Sequence, residues 1–173
     1  MAIDHKQSMP DNTTRILAYK ALDRDFDRTW SDWAVEMLVS GFETEHLVIL
    51  AGMGEPFDYF EMQTLTTKAL NELGLSFSDK LQTVWNYVSY LIQMCLDGTL
   101  ESVKVLTELR DLYLELDYEK SLQQFYFLYY AKSDLISDEV QWYIDGVDRS
   151  NIDETVIRYF NEWLKLKSHT NEQ

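Results

Sequence analysis

The sequence predicts an all-α protein, and three features favour that class. Apolar residues recur at spacings of three and four, which is the period of one face of an α-helix. Only 2 prolines and 6 glycines interrupt the 173 residues, too few for a sandwich or barrel that needs frequent turns. The connections between periodic segments are short, which favours successive antiparallel hairpins. We therefore predict a single-domain bundle of about six to eight helices.

The first half of the chain contains three predicted helices. One begins at Thr29 and ends before Gly41, which suits a left-handed C-terminal cap. A short helix follows Thr44, and a third runs from Pro56 to Gly74. Their apolar positions are Trp30, Trp33, Ala34, Met37, Leu38, Leu47, Leu50, Ala51, Phe57, Phe60, Leu65, Ala69, Leu70 and Leu73.

The second half contains two further long helices before an aromatic segment. Ser78 caps the first, which ends at Gly98, and the second runs from Thr99 to about Leu116. The next helix, residues 119 to 131, is apolar on nearly every side, so we expect it at the centre of the bundle.

The last part of the chain is predicted to hold a short helix over residues 138–144 and a final one over residues 152–166. Residues 1–12 lack apolar periodicity and are expected to form a flexible tail. The helical domain then covers residues 13–168, and residues 169–173 are expected to fray.

The composition limits the kinds of partner and the compartment. A net charge of -15 disfavours binding to nucleic acids and to anionic membranes, since both require a cationic face. A single cysteine cannot form an intramolecular disulfide, and neither a secretory signal nor a membrane-length apolar stretch is evident, so we expect a cytoplasmic protein.

Two glycine and acid patterns resemble known sites but are incomplete. Gly52 and Gly54 follow an apolar run as in a dinucleotide-binding turn, but the third glycine position is Phe57. Three alternating aspartates at positions 23, 25 and 27 match the start of a calcium loop, but Arg28 stands where that loop needs glycine and Ala34 where it needs glutamate. A helix end and a solvated acidic stretch are the simpler interpretations.

Glu43 and His46 have the Glu-x-x-His spacing of di-iron bundles. That site needs a second such pair, and the residues three positions before His5 and His169 are not glutamates. We therefore predict no metal and no cofactor. Because no complete catalytic signature is present, we also predict no catalytic residues and a non-enzymatic protein.

The excess acidic residues are concentrated in two segments. Residues 21–61 carry a net charge of -8, and residues 133–154 carry -6. Within the second segment, Trp142 and Tyr143 lie among carboxylates, which is how interaction hot spots are built. The simpler interpretation is that both rings pack under the short helix predicted for their own segment. The candidate partner-binding residues are Asp134, Asp138, Glu139, Trp142, Tyr143, Asp145, Asp148, Asp23, Asp25 and Asp27.

One stretch resembles a segment found in small uncharacterised bacterial proteins. The matching residues are Trp30-x-x-Trp33-Ala34, Gly41, Leu50-Ala51-Gly52, Pro56, Phe60-Glu61 and Ala69-Leu70-Asn71-Glu72-Leu73-Gly74. The resemblance implies a helical bacterial protein and no particular activity. In composition alone, the chain is also similar to immunity proteins that neutralise secreted toxins.

Two functional hypotheses follow from these features. The first is a non-enzymatic module that binds a basic protein, as an inhibitor or immunity protein would. The alternative is a helical bundle that binds or transforms a small molecule in an aromatic pocket, since the chain has 11 tyrosines. A homodimer is compatible with either hypothesis.

Overall fold

The computed structural model describes residues 8–170, with side chains to residue 167, and this part of the chain is helical. It contains eight α-helices and one short 3-10 turn, and no strand forms within these residues. The prediction of an all-α domain of six to eight helices is confirmed. The chain divides into two compact units, one ending at Tyr87 and the other starting at Val88, and the boundary falls inside one long helix.

The first unit begins with four helices in close succession. They are α1 (Thr13–Ala21), α2 (Arg28–Val39), α3 (Glu45–Ala51) and α4 (Tyr59–Glu72), followed by the start of α5 (Lys80–Leu96). Helix α1 packs on α2, α2 on α3 and α3 on α4, as expected for successive hairpins.

Two tryptophans of α2 anchor the core of the first unit. Trp30 and Trp33 are fully buried against apolar side chains of α3 and α4. The indole Nε1 of Trp33 donates a hydrogen bond to Thr13 Oγ1 at 2.9 Å, so this buried donor is satisfied while α2 is fixed to the start of α1. The core residues are Ile16, Trp30, Trp33, Ala34, Met37, Leu47, Leu50, Met62, Leu65, Ala69 and Leu70.

Helix α1 was not predicted as a separate helix, because its nine residues include buried polar groups. The buried Lys20 Nζ donates to Thr66 Oγ1 at 2.8 Å, to the Gln63 carbonyl at 3.1 Å and to the Gln63 side-chain oxygen. These bonds join α1 to α4. Helix α4 also begins later than predicted, because the side chain of Asp58 caps it by accepting from Glu61 N at 2.8 Å.

The second unit contains the remainder of α5 and three further helices. These are α6 (Ser102–Glu115), α7 (Gln123–Ser137) and α8 (Ile152–Thr170), with a 3-10 turn at Lys120–Leu122 before α7. Helix α7 packs on both α6 and α8. Phe125 of α7 lies 5.7 Å, between ring centroids, from both Phe160 and Trp163 of α8. Trp163 Nε1 donates to Ser89 Oγ of α5 at 3.0 Å.

Helix α7 differs from the prediction in position and in surroundings. It extends to Ser137 rather than ending near residue 131. Its buried positions, Phe125, Leu128, Ala131 and Leu135, lie on one side. The aromatic residues between them are only half-buried, so the expectation of a helix covered on every side is wrong.

The short helix predicted over residues 138–144 does not form. Asp138 ends α7 in extended backbone, and a loop continues to the start of α8 at Ile152. Among residues 8–170, no helix is both long enough and apolar enough to cross a bilayer.

Both predicted tails fall largely outside the described residues, since positions 1–7 and 171–173 are not covered. Within the covered part, Met9 packs against the core of the first unit. Asn12 Nδ2 donates to Glu36 Oε2 at 2.6 Å. At the other end, α8 continues to Thr170, two residues beyond the predicted end of the domain.

Candidate partner-binding site

Residues 138–151 form a loop that we call the acidic loop, and one buried glutamine organises it. Gln141 is only 7% exposed. Its Oε1 accepts from the backbone N–H of Tyr143 at 2.7 Å and of Ile144 at 2.9 Å. Its Nε2 donates to the carbonyls of Ile144 at 2.5 Å and Val147 at 2.9 Å. One side chain therefore supplies the hydrogen bonds that a helix would have provided here.

The second half of the acidic loop is closed by further side-chain bonds to backbone. Arg149 Nε donates to the carbonyl of Leu135 in α7 at 2.8 Å. Asn151 accepts from Asp148 N at 2.9 Å and donates to the Gly146 carbonyl at 3.0 Å. Gly146 has φ +73°, a conformation that glycine adopts without strain. The loop is thus fixed at both ends.

The loop presents two aromatic side chains in different ways. Trp142 is 89% exposed, whereas the residues on either side of it are held by the Gln141 network. Tyr143 is 41% exposed and stacks on Tyr130 of α7, with ring centroids 5.4 Å apart and planes at 28°. The sequence favoured both rings lying under a short helix of their own segment, but that helix does not form and both rings are exposed. Trp142 projects from a backbone that Gln141 holds by hydrogen bonds.

The predicted carboxylates of this segment lie around the same loop. Asp138, Glu139, Asp145 and Asp148 are exposed, and Asp134 is half-buried in the last turn of α7. Asp148 also has a structural role, because its side chain accepts from Ser150 Oγ at 2.5 Å and from Ser150 N at 2.7 Å. These bonds hold the pKa of Asp148 below its usual value.

The predicted carboxylates of the first unit are exposed, but two of them bind other residues. Asp23 accepts from Tyr59 Oη at 2.7 Å and from the Gln63 side-chain amide. The bond to Asp23 raises the pKa of Tyr59. Asp27 caps α2 by accepting from Thr29 N at 2.8 Å. We therefore regard the loop of the second unit as the stronger candidate site.

A row of tyrosines, which we call the tyrosine row, continues from the acidic loop. Successive centroid distances are 5.4 Å for Tyr143–Tyr130, 4.9 Å for Tyr130–Tyr126, 4.8 Å for Tyr126–Tyr113 and 5.5 Å for Tyr113–Tyr118. Tyr118 is 61% exposed at the far end. Burial, and then the neighbouring Tyr130, raises the pKa of Tyr126. The sequence showed abundant tyrosines but gave no sign that five of them form a row of contacting rings.

An arginine already stacks on a ring beside the row. The guanidinium of Arg110 lies 4.2 Å from the ring centroid of Tyr129, and Tyr129 lies 5.0 Å from Tyr130. Arg110 also donates to Asp111 Oδ1 from Nε at 2.8 Å and from a terminal nitrogen at 2.6 Å. The bonds to Asp111 raise the pKa of Arg110. The guanidinium of Arg110 is thus stacked on the Tyr129 ring and paired with the Asp111 carboxylate at the same time.

His46 pairs with a residue that the sequence spacing did not indicate. Glu72 Oε1 accepts from His46 Nδ1 at 2.5 Å, and Glu72 Oε2 accepts from His46 N at 3.1 Å. These bonds lower the pKa of Glu72. Glu45 also approaches, and the potential ligand atoms of Glu45, His46 and Glu72 lie within 4.8 Å of one another. Since Glu72 joins the start of α3 to the end of α4, we interpret the group as a helix-joining contact.

Together the fold and this site define an all-helical protein with a hydrogen-bonded, acidic loop that exposes an aromatic side chain. Comparison with protein-family models, with curated proteins and with solved structures gives no match. The resemblance to small bacterial proteins therefore remains a prediction.

Proposed function

We propose that this protein is a non-enzymatic interaction module whose acidic loop binds a basic protein, as an inhibitor or immunity protein does. The single observation that carries the proposal is the exposure of Trp142, which is 89% exposed on a loop whose backbone is hydrogen-bonded to the buried side chain of Gln141. A large apolar ring normally gains free energy by burial, so its exposure on an ordered loop favours a role in binding.

The order of the loop supports binding energetically. Ordering a flexible segment on association opposes binding, and side chains immobilised at an interface cost about 0.5–1.5 kcal/mol each. The Gln141 and Arg149 hydrogen bonds fix the backbone before a partner arrives. Tryptophan is also among the residues that most often dominate interface energies.

The surrounding charge indicates the chemistry of the partner. Asp138, Glu139 and Asp145 are exposed on the same loop as Trp142. Carboxylates around an aromatic anchor increase the rate of encounter with a basic surface and disfavour acidic partners. The net charge of the whole protein, -15, is also negative.

Capture from a lysate of the native host tests the proposal. The loop variant combines Asp138→Asn, Glu139→Gln and Asp145→Asn. A matched control changes three exposed carboxylates of the first unit, Asp32, Glu43 and Glu61, to their amides, so both variants lose the same charge. Captured proteins are identified by mass spectrometry at increasing salt concentration.

We expect the wild type and the control to retain a basic protein that the loop variant releases at lower salt. Equal release by both variants would mean that net charge alone attracts the protein, and it would contradict a site at the loop. Retention of no protein at low ionic strength would contradict the proposal altogether.

The alternative of a small-molecule pocket has less support. A cavity lined by Val103, Leu106, Tyr129, Lys132, Ser133 and Ile136 has a volume of about 50 Å³. Small-molecule sites usually measure about 300–1,000 Å³. A depression of about 560 Å³ in the first unit falls within this range, but it is largely open to solvent and no aromatic residue lines it; its lining residues are Glu43, Thr44, Glu45, Val48 and Ile49. The tyrosines that could have lined such a pocket form a partly exposed row instead.

A further inference from the structure

The tyrosine row extends the surface at the acidic loop. Tyr143 belongs to both features, because it follows Trp142 in the loop and stacks on Tyr130 of α7. Tyr126 and Tyr130 are half-buried, so each ring keeps part of its surface accessible. Exposed carboxylates are close in sequence to both ends of the row, since Asp145 follows Tyr143 by two residues and Asp117 directly precedes Tyr118. Tyr113 is buried, so the accessible rings are Tyr143, Tyr130 and Tyr126 on one side of it and Tyr118 on the other, with an exposed carboxylate near each end of the row.

We infer that the tyrosine row binds arginine side chains of the partner, so that the partner contributes an arginine-bearing segment rather than a merely basic surface. This inference rests on the proposed function and specifies the partner of the same site. The group that binds the row is therefore a cation that can stack on a ring and pair with a carboxylate at the same time.

Arginine fits this surface better than lysine does. The guanidinium is planar and weakly hydrated, so it stacks on aromatic faces while its N–H groups remain directed at carboxylates. Arg110 shows this geometry in the same unit, since it covers Tyr129 and donates two hydrogen bonds to Asp111. An ammonium is a compact, strongly hydrated charge and gains less from a ring face.

Proline-rich segments are the other common ligands of exposed aromatic rows. They are neutral in the parts that contact the rings, and they would gain nothing from the carboxylates at the two ends of the row. The charge around Tyr118 and Tyr143 therefore favours the cation. A proline-rich probe provides the direct comparison.

Three short peptides with blocked ends test the inference on the full-length protein. Their sequences are Gly-Arg-Ser-Arg-Ser-Arg-Gly, the same peptide with lysine in place of arginine, and Gly-Pro-Pro-Pro-Pro-Pro-Gly. Affinity is measured by NMR titration, with Trp142 and the tyrosine resonances as reporters. We expect the arginine peptide to bind at least about threefold more tightly than the lysine peptide, and the proline peptide to bind most weakly.

Variants of the row separate ring stacking from general charge. Tyr143→Leu should reduce the preference for arginine over lysine to near unity, whereas Tyr143→Phe should preserve it because the ring face remains. Phe60→Leu in the first unit is the matched control, since Phe60 is 79% exposed and lies outside the row. If Tyr143→Leu perturbs the fold, Tyr118→Asn removes the other end of the row, and asparagine tolerates the φ of +64° there.

Equal affinity for the arginine and lysine peptides would overturn the inference. So would tighter binding of the proline peptide, no binding of any peptide, or an unchanged preference in folded Tyr143→Leu or Tyr118→Asn. None of these results would alter the capture experiment with the loop variant, so failure of the inference is distinguishable from failure of the proposed function.

Discussion

Replacing Gln141 by leucine should release the acidic loop while leaving the helices intact. Leucine has a similar volume but cannot form any of the four hydrogen bonds that Gln141 makes with Tyr143, Ile144 and Val147. Two backbone N–H groups and two carbonyls then lose their partners. The substitution therefore tests whether the side chain determines the loop conformation.

The magnitude follows from those four bonds. At about 1 kcal/mol net for each bond, they contribute about 4 kcal/mol. Fixing the glutamine side chain opposes this by about 2 kcal/mol of conformational entropy. We expect the loop to lose about 2 kcal/mol of local stability, which corresponds to about thirtyfold faster opening of its backbone hydrogen bonds.

Amide hydrogen exchange measured by NMR is the appropriate assay, because it reports each N–H separately. In the wild type, the Tyr143 and Ile144 amides should be protected, since both donate to Gln141 Oε1. In Gln141→Leu both should exchange about thirtyfold faster, while the amide of Leu128 in α7 should be little affected. Gln124→Leu, at an exposed position of α7, is the matched control.

Unprotected Tyr143 and Ile144 amides in the wild type would refute this reasoning, because the loop would then be mobile without any substitution. Wild-type exchange rates in Gln141→Leu would also refute it, since other contacts would have to hold the loop. Gln124→Leu should leave both rates unchanged.

Other predictions concern stability. Burial lowers the pKa of Lys20 from 10.5 to about 8, so the unfolded chain binds more protons than the folded protein between these pH values, and the free energy of unfolding rises with pH there. Lys20→Met should reduce this rise, measured by urea unfolding at pH 7 and pH 10. The same rise in the variant as in the wild type would contradict the role of Lys20. Asp27→Ala should lower the free energy of unfolding by about 1 kcal/mol because it removes the cap of α2, whereas Asp25→Ala should lower it by less than about 0.5 kcal/mol. Equal losses for the two variants in urea unfolding would contradict the capping role of Asp27. Phe160→Ala should cost about 3–5 kcal/mol in the same assay, because Phe160 is fully buried against Phe125, and a loss below about 1 kcal/mol would show a loosely packed core.

Much of the helical arrangement could be predicted, because periodicity and glycine report local structure. Helix α2 begins and ends within one residue of its prediction, and Gly41 after it has the expected positive φ of 89°. Helix α1 was missed because it is short and its buried Lys20 lies on Gln63 and Thr66, partners more than 40 residues away. Sequence periodicity contains no information about such distant bonds.

The candidate site was predictable only in outline. Trp142 and Tyr143 stood out because they are aromatic residues among carboxylates. The helix predicted for their segment is replaced by a loop, since Gln141 bonds its backbone in a non-helical conformation. The tyrosine row was not predictable, because Tyr113, Tyr126 and Tyr143 belong to different elements that meet only in the folded unit.

The most direct test of the proposed site is the affinity of the captured basic protein for Trp142→Ala, with Phe60→Ala as the exposed-aromatic control. Isothermal titration calorimetry at low and physiological salt should show at least about thirtyfold weaker binding for Trp142→Ala at both salt concentrations, because an anchor ring contributes about 2 kcal/mol or more independently of screening. Phe60→Ala should bind within about twofold of the wild type. Wild-type affinity in Trp142→Ala would contradict a site centred on the acidic loop.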